Sequence, residues 1–225
     1  LQMRPEFASN LRRELRGRAF QEAPRPAVRP AALLAVAACL VLAMVVVLSV
    51  VRRPATEERA LRAAMTEISR QAVDDHRDCA VDFRLPKRPI PLEEAGSKYD
   101  RAYLNLADVV SSRVALSGGV ELVESHSCVF NGRRFAHIIL RQRGNLISLL
   151  VTDLSRPGDA TRSPSDANQQ VSACPQFEGY QVACFETERH AIFVVSDLAE
   201  NDNLAIARQL APSVRSHISQ AEGPA

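Results

Sequence analysis

Two short stretches of this 225-residue chain hold the residues that could coordinate a metal or exchange electrons. "DDHRDCAVDF", residues 74–83, sets His76 and Cys79 three apart, and "ESHSCVFNGRRFAH", residues 124–137, sets His126 two before Cys128 and ends on His137. Imidazole and thiolate suit borderline divalent ions, and a Cys2His2 set makes a competent tetrahedral zinc site. The expected metal set is His76, Cys79, His126 and Cys128. Its H-x2-C…H-x-C spacing is that of no standard zinc finger. The sequence calls for no cofactor as such, and zinc is the ion this set would take. The same sulfurs allow other outcomes: a Cys79–Cys128 disulfide, a Cys174–Cys184 disulfide, a redox-responsive pair, or thiols that only fill core. Four cysteines allow three pairings. If Cys79 and Cys128 meet, a disulfide ranks ahead of a metal.

Other chemistries are excluded by what is missing. The chain has no Gly-rich phosphate loop, no G-x-S-x-G, no H-E-x-x-H and no C-x-x-C. Cys128 with His137 could be drawn as nucleophile and base, but no third group orients the pair. The chain therefore reads as non-enzymatic. A net charge of +2, no Trp and 5% aromatic residues give neither the basic field nor the stacking platform of a nucleic-acid binder.

The elements that must position these residues follow from periodicity. Residues 119–130, 133–142 and 145–153 alternate with a period of two, and the first two runs are joined by Asn131-Gly132, a strong hairpin signal. With that pair at the centre of the turn, Cys128 falls opposite Phe135 and His126 opposite His137. His126, Cys128 and His137 then share one face, while Ala136, Ile138, Leu140, Ile147, Leu149 and Val151 form the core face. Residues 179–185 and 190–197 read as a second hairpin. Helical spacing of Leu61, Met65, Ile68 and Val73 predicts a helix over 55–76 that begins at Thr56 and brings His76 and Cys79 to one face. A second helix is expected over 98–114, and a terminal one over 196–214, capped by Asp197 with Glu200. The polar stretch 155–170 reads as a loop, and His190 and His217 read as structural. The fold class is α+β: one antiparallel sheet of about five strands with helices packed on one face.

Ahead of this domain, "AALLAVAACLVLAMVVVLSVV" (31–51) is uncharged and flanked by Arg29 and by Arg52-Arg53. About 20 apolar residues suffice to span a bilayer, so this run reads as a transmembrane helix. The organisation is then 1–30, a basic juxtamembrane helix around Leu11 and Leu15 with a Pro-containing linker; 31–51, the span; and 52–225, an extracytoplasmic domain. Arginines on the two sides of the span are nearly balanced, so the cysteines of the larger domain orient it toward an oxidising compartment, with the N-terminus in the cytoplasm.

The blocks "PEFASNLRREL", "HRDCAVDFRLPKRPIPLEE", "SHSCVFNGRRFAHIIL" and "FETERHAIFVVSDL", in this order around a single span, resemble bacterial transmembrane anti-sigma-factor-like regulators of the kind found in acidobacteria. The likeness covers residues 5 to 215. It implies an inner-membrane, single-pass regulator with a periplasmic sensing domain and a sigma factor as cytoplasmic partner. In that family the sigma factor is gripped by a zinc-binding helical module with an H-x-x-x-C-x-x-C motif. The first thirty residues here contain no such motif, so the module either precedes Leu1 or does not exist. The alternative role is a structural or assembly subunit of a larger membrane complex, with other membrane subunits as partners.

Overall fold

The computed structural model describes Met44, Arg59 and residues 62–84, 89–115, 119–154 and 170–223. The expected juxtamembrane helix, the apolar run 31–51 apart from Met44, and the expected loop 155–170 apart from Gln170 lie outside the described residues. Among the described residues no helix is long and apolar enough to cross a membrane. The chain divides into two units, Leu1–Pro54 and Ala55–Ala225, and the sheet belongs to the second.

Six strands form one antiparallel sheet: β1 (Val120–Phe130), β2 (Arg133–Gln142), β3 (Asn145–Asp153), β4 (Ser172–Phe177), β5 (Tyr180–Glu186) and β6 (His190–Ser196). Their spatial order is β1-β2-β3-β6-β5-β4, so two hairpin-connected halves meet where β3 pairs with β6. Each tight hairpin turn places an X-Gly pair at positive φ: Asn131-Gly132, Arg143-Gly144 and Glu178-Gly179. That geometry matches the twist of the flanking strands, and glycine at the second position adopts it without strain. The β1–β2 register is the one its Asn-Gly turn predicts, with Phe130 opposite Arg133, Cys128 opposite Phe135 and His126 opposite His137.

The sixth strand, β4, is an addition to the expected five. It carries Pro175 and a register shift between Cys174 and Phe177, and it lies at the sheet edge, where a missing backbone donor is tolerated. At the opposite edge, Ile90 bridges to Ser127 of β1 through two backbone hydrogen bonds of 2.7 and 3.0 Å.

Helices cover both faces of the sheet rather than one. On the first face, α2 (Leu92–Lys98), α3 (Leu106–Ala115) and α4 (Glu200–Glu222) bury Leu92, Leu106, Val110, Leu204, Leu210 and Val214 against Ile138, Leu149, Ile192 and Val194. On the second, helix α1 (62–75) lays Ile68, Ala72 and Val73 over Phe135, Leu150 and Phe193. The alternate residues of β2, β3 and β6 supply the two cores, so neither face of the central strands is solvated.

Local chemistry accounts for the other departures from expectation. The helix expected over 98–114 is split: Asp100 is extended and accepts a hydrogen bond from Ala102 N, Arg101–Tyr103 forms a single 3₁₀ turn, and Asn105 sits at φ 57° before α3 starts. The terminal helix starts at Glu200 behind Ala199, with no side-chain cap. Ser196 and Asn203 fix that end instead. Ser196 Oγ donates to Asn203 Oδ1 at 2.8 Å, and Asn203 Nδ2 donates to the carbonyl of Val194 at 3.0 Å.

Candidate metal centre

Helix α1 does not stop at His76. It widens into a π-turn, His76–Val81, with Asp82 N donating to Arg77 O at 2.8 Å. Such turns interrupt regular helices chiefly where side chains must be re-aimed. This one is laid over the second face of the sheet and brings Cys79 to the hairpin.

Four side chains converge there: Cys79 from the π-turn, His126 and Cys128 from β1, and His137 from β2. One donor atom from each lies within 4.8 Å of all the others. All four are buried, with exposures of 3%, 5%, 5% and 0% respectively. Zn–S and Zn–N bonds of about 2.3 and 2.0 Å at tetrahedral angles would put ligand atoms roughly 3.3–3.8 Å apart, so the cluster is within a small contraction of that geometry.

His76 is buried but stands one step outside the four. Its Nδ1 lies 2.6 Å from Ser148 Oγ, and its ring sits edge-on to Tyr180 at 5.0 Å. The nitrogen expected from His76 comes instead from His137. Helical spacing puts His76 and Cys79 on one face, but facing the same way does not bring two side chains equally close to the hairpin. Sequence reasoning also misses Asp75 and Ser148. Asp75 is four residues from Cys79, a spacing that shares a helix face, and that is the available signal for it. Ser148 is brought in by the β2–β3 register and carries no motif.

Asp75 is the charge at the centre. Its carboxylate accepts from Cys128 Sγ at 3.1 and 3.2 Å, its Oδ1 lies 3.6 Å from Cys79 Sγ, and its Oδ2 lies 3.3 Å from His137 Nδ1. That last contact is close but not aligned as a hydrogen bond, which leaves His137 Nδ1 without a hydrogen-bond partner. On its other side His137 Nε2 is 2.6 Å from Ser148 Oγ.

His126 is less satisfied still. Glu124 Oε1 approaches its Nδ1 to 3.2 Å from the solvent side, out of hydrogen-bonding alignment, and neither ring nitrogen of His126 is hydrogen-bonded. Buried polar atoms are rarely left so, because desolvation without a partner costs on the order of 1–3 kcal/mol. Two imidazoles, each able to offer one lone pair, that converge with two thiols beside a carboxylate are a donor set suited to a cation.

The electrostatics point the same way. Burial works against the charge on Asp75, but His137 and the two thiols outweigh it and hold the carboxyl below its usual range. Burial likewise opposes charge on His137, and Asp75 with Cys79 overcomes it, raising the imidazole to about 9. Burial, aided by the nearby His137, pushes His76 down to about 3, so this ring is neutral. Cys79 ionises readily because Cys128 hydrogen-bonds its thiolate, and Cys128 is held protonated by that contact, by burial and by Asp75.

Cys79 and Cys128 are free thiols, whereas Cys174 and Cys184 are joined in a disulfide with their Cα atoms 5.9 Å apart. The expected Cys174–Cys184 pair is therefore present, and the Cys79–Cys128 disulfide, expected ahead of a metal, is not. In place of that bond stands a Cys2His2 cluster able to hold an ion such as zinc.

The other buried histidine is satisfied on both nitrogens. His190 Nδ1 contacts Glu222 Oε1 at 2.6 Å, and Nε2 contacts Asp100 Oδ2 at 2.7 Å. This cluster lies on the first face of the sheet, where it ties the end of α4 and the turn before α3 to the start of β6. It leaves no unpaired donor for a ligand.

No protein-family model, no curated protein and no solved structure matches this chain.

Proposed function

We propose that the chain is a single-pass, inner-membrane regulator of the anti-sigma-factor-like kind, whose α+β domain lies in the periplasm and senses through a bound zinc-class ion held by Cys79, His126, Cys128 and His137. The observation that carries the metal reading is the buried convergence of four soft and borderline donors, with both nitrogens of His126 unpartnered. The donors suit Zn²⁺ better than Mg²⁺ or Ca²⁺, which take oxygen ligands. A catalytic zinc needs a position open to substrate. Ligands this deeply buried favour an ion that holds or reports a conformation over one that turns over substrate.

The uncharged run 31–51 supports the membrane anchor. The Cys174–Cys184 disulfide supports the oxidising side for the domain, since such bonds persist outside the cytosol. A closed metal site fits that setting, because coordination protects two adjacent thiols that would otherwise oxidise.

The test is intact-mass analysis of the full chain, native and denatured, with peptide-level alkylation. The expected result is one zinc, lost on denaturation, with Cys79 and Cys128 alkylated only after the metal is removed. A chain that carries no metal mass after exposure to zinc, and whose Cys79 and Cys128 alkylate at once, overturns the metal reading. The regulator reading is tested by affinity capture from the membrane fraction: recovery of a sigma factor supports it, whereas stoichiometric recovery with an integral membrane complex favours the assembly-subunit role.

A further inference from the structure

Ser148 stands between two imidazoles, at 2.6 Å from His76 Nδ1 and 2.6 Å from His137 Nε2. All three residues are buried, at 1% exposure or less. A serine hydroxyl has one proton, so it can donate to only one of the two rings and must accept from the other. The direction of this chain decides which nitrogen of His137 carries a lone pair.

We propose that Ser148 and His76 are positioning residues that make His137 bind the metal through Nδ1. This rests on the metal reading above. His137 Nε2 is already engaged by Ser148 and is closed to a metal. Nδ1 faces the cluster, 3.3 Å from the carboxylate that also contacts Cys128. For Nδ1 to offer a lone pair, the neutral ring must carry its proton on Nε2 and donate it to Ser148 Oγ. Ser148 then donates its own proton onward, and His76 Nδ1 accepts it. Metal-bound histidines generally donate their second ring N–H to an outer partner, which fixes tautomer and ring angle. Here that partner is a hydroxyl, itself oriented by a second histidine.

His76 is therefore kept at this position by what it accepts, without touching the ion. It is held in place by its edge contact with Tyr180 and by the π-turn it begins. Asparagine should substitute, because its Oδ1 offers an acceptor close to where Nδ1 stood, whereas leucine should not.

The experiment is cobalt(II) titration of the full chain, reading the thiolate-to-cobalt charge-transfer and ligand-field bands, together with long-range ¹H–¹⁵N NMR of the zinc-loaded protein. Ser148→Ala and His76→Leu should each weaken cobalt binding by roughly 10- to 100-fold and shift the ligand-field envelope, while His76→Asn stays within about threefold of the unaltered chain. The NMR spectrum should show His137 protonated at Nε2 and metal-bound at Nδ1. Unchanged affinity and spectrum in Ser148→Ala, or a proton on His137 Nδ1 in the loaded protein, overturns the relay while leaving the metal site standing. No cobalt bands in the unaltered chain overturns the metal reading and the relay with it. If the variants do not fold, as judged by circular dichroism, the NMR measurement on the unaltered chain decides alone.

Discussion

His126 and His137 face each other across the β1–β2 pair, with ring centroids 5.2 Å apart and planes inclined at 58°. Two buried rings so placed share one side of a hairpin with Cys128, and the π-turn delivers Cys79 above them. Segments far apart in the chain thus meet at one point, so whatever occupies that point links helix α1 to the sheet.

Metal loading should therefore stabilise the fold. A ligand that binds only the native state adds about 4 kcal/mol at a free concentration of roughly 1,000 times its dissociation constant. For a domain of this size that is a rise in melting temperature of roughly 10 °C. Differential scanning calorimetry with excess zinc and with chelator measures it. His126→Ala should abolish the difference between the two scans, and an equal shift in that variant would place the binding elsewhere.

The His190 cluster predicts a pH window. Burial disfavours charge on His190, but Asp100 and Glu222 outweigh it and raise the imidazole to about 9. A group raised on folding contributes fully below its unfolded value, near 6.5, and loses that contribution as pH climbs through about 9. Asp100 and Glu222 are both held low against burial by His190, so their contribution is present above the ordinary carboxylate range and fades on acidification. The alkaline loss should be about 3 kcal/mol. Urea midpoints of the zinc-loaded chain and of His190→Gln across pH 5 to 10 report it, because loading removes the titration of His137 from the comparison. Parallel curves for the two proteins would contradict the assignment.

Cys174–Cys184 closes a short loop at the β4–β5 edge, the two cysteines standing 10 positions apart in sequence. Replacing both by serine should cost roughly 2–3 kcal/mol, the loop-entropy value for a ring of this length. The urea midpoint should fall while metal stoichiometry stays at one. Loss of metal in this variant would show that the edge strand shapes the site.

Gly96 gives an unusual prediction for a helical glycine. Alanine in mid-helix normally gains about 1 kcal/mol over glycine. A Cβ at Gly96, however, would stand 2.6 Å from Leu104 Cγ and 2.9 Å from Leu104 N. The backbone atom cannot rotate away, so Gly96→Ala should instead destabilise by about 1–3 kcal/mol. Chemical denaturation gives the sign directly, and a stabilised variant would mean that the turn at Leu104 moves aside at little cost.

Much of the second half of the chain is legible in its residues because the local rules there are strict. Asn131-Gly132 sets a two-residue turn, and a period of two then dictates that His126, Cys128 and His137 share a face, with no need of tertiary information. Helix α1 is equally plain in Met65, Ile68 and Val73. What the sequence does not carry is which face of the sheet α1 covers, since an apolar stripe fits either side. That undetermined packing also hides which of His76 and His137 completes the cluster. β4 escapes because "SACPQF" has no apolar alternation and contains a proline, features that only an edge position tolerates. The cap expected at Asp197 is not formed, since the helix starts at Glu200 behind Ala199; Ser196 and Asn203 bond each other there, a contact that joins the end of β6 to the helix and follows no local motif.

The second face of the sheet carries both kinds of sulfur side by side: free Cys79 and Cys128 at one end, and the joined Cys174 and Cys184 at the other, within one apolar cluster. With an ion held by the Cys2His2 cluster as proposed, the two fastenings answer to opposite insults. A reductant opens the second and leaves the first with the thiols it needs. A chelator, or an oxidant that takes electrons from the first pair, leaves the second intact. No single change in redox conditions unfastens both ends, so α1 and the β4 edge keep at least one covalent or coordinate hold on the same surface whichever way the compartment drifts.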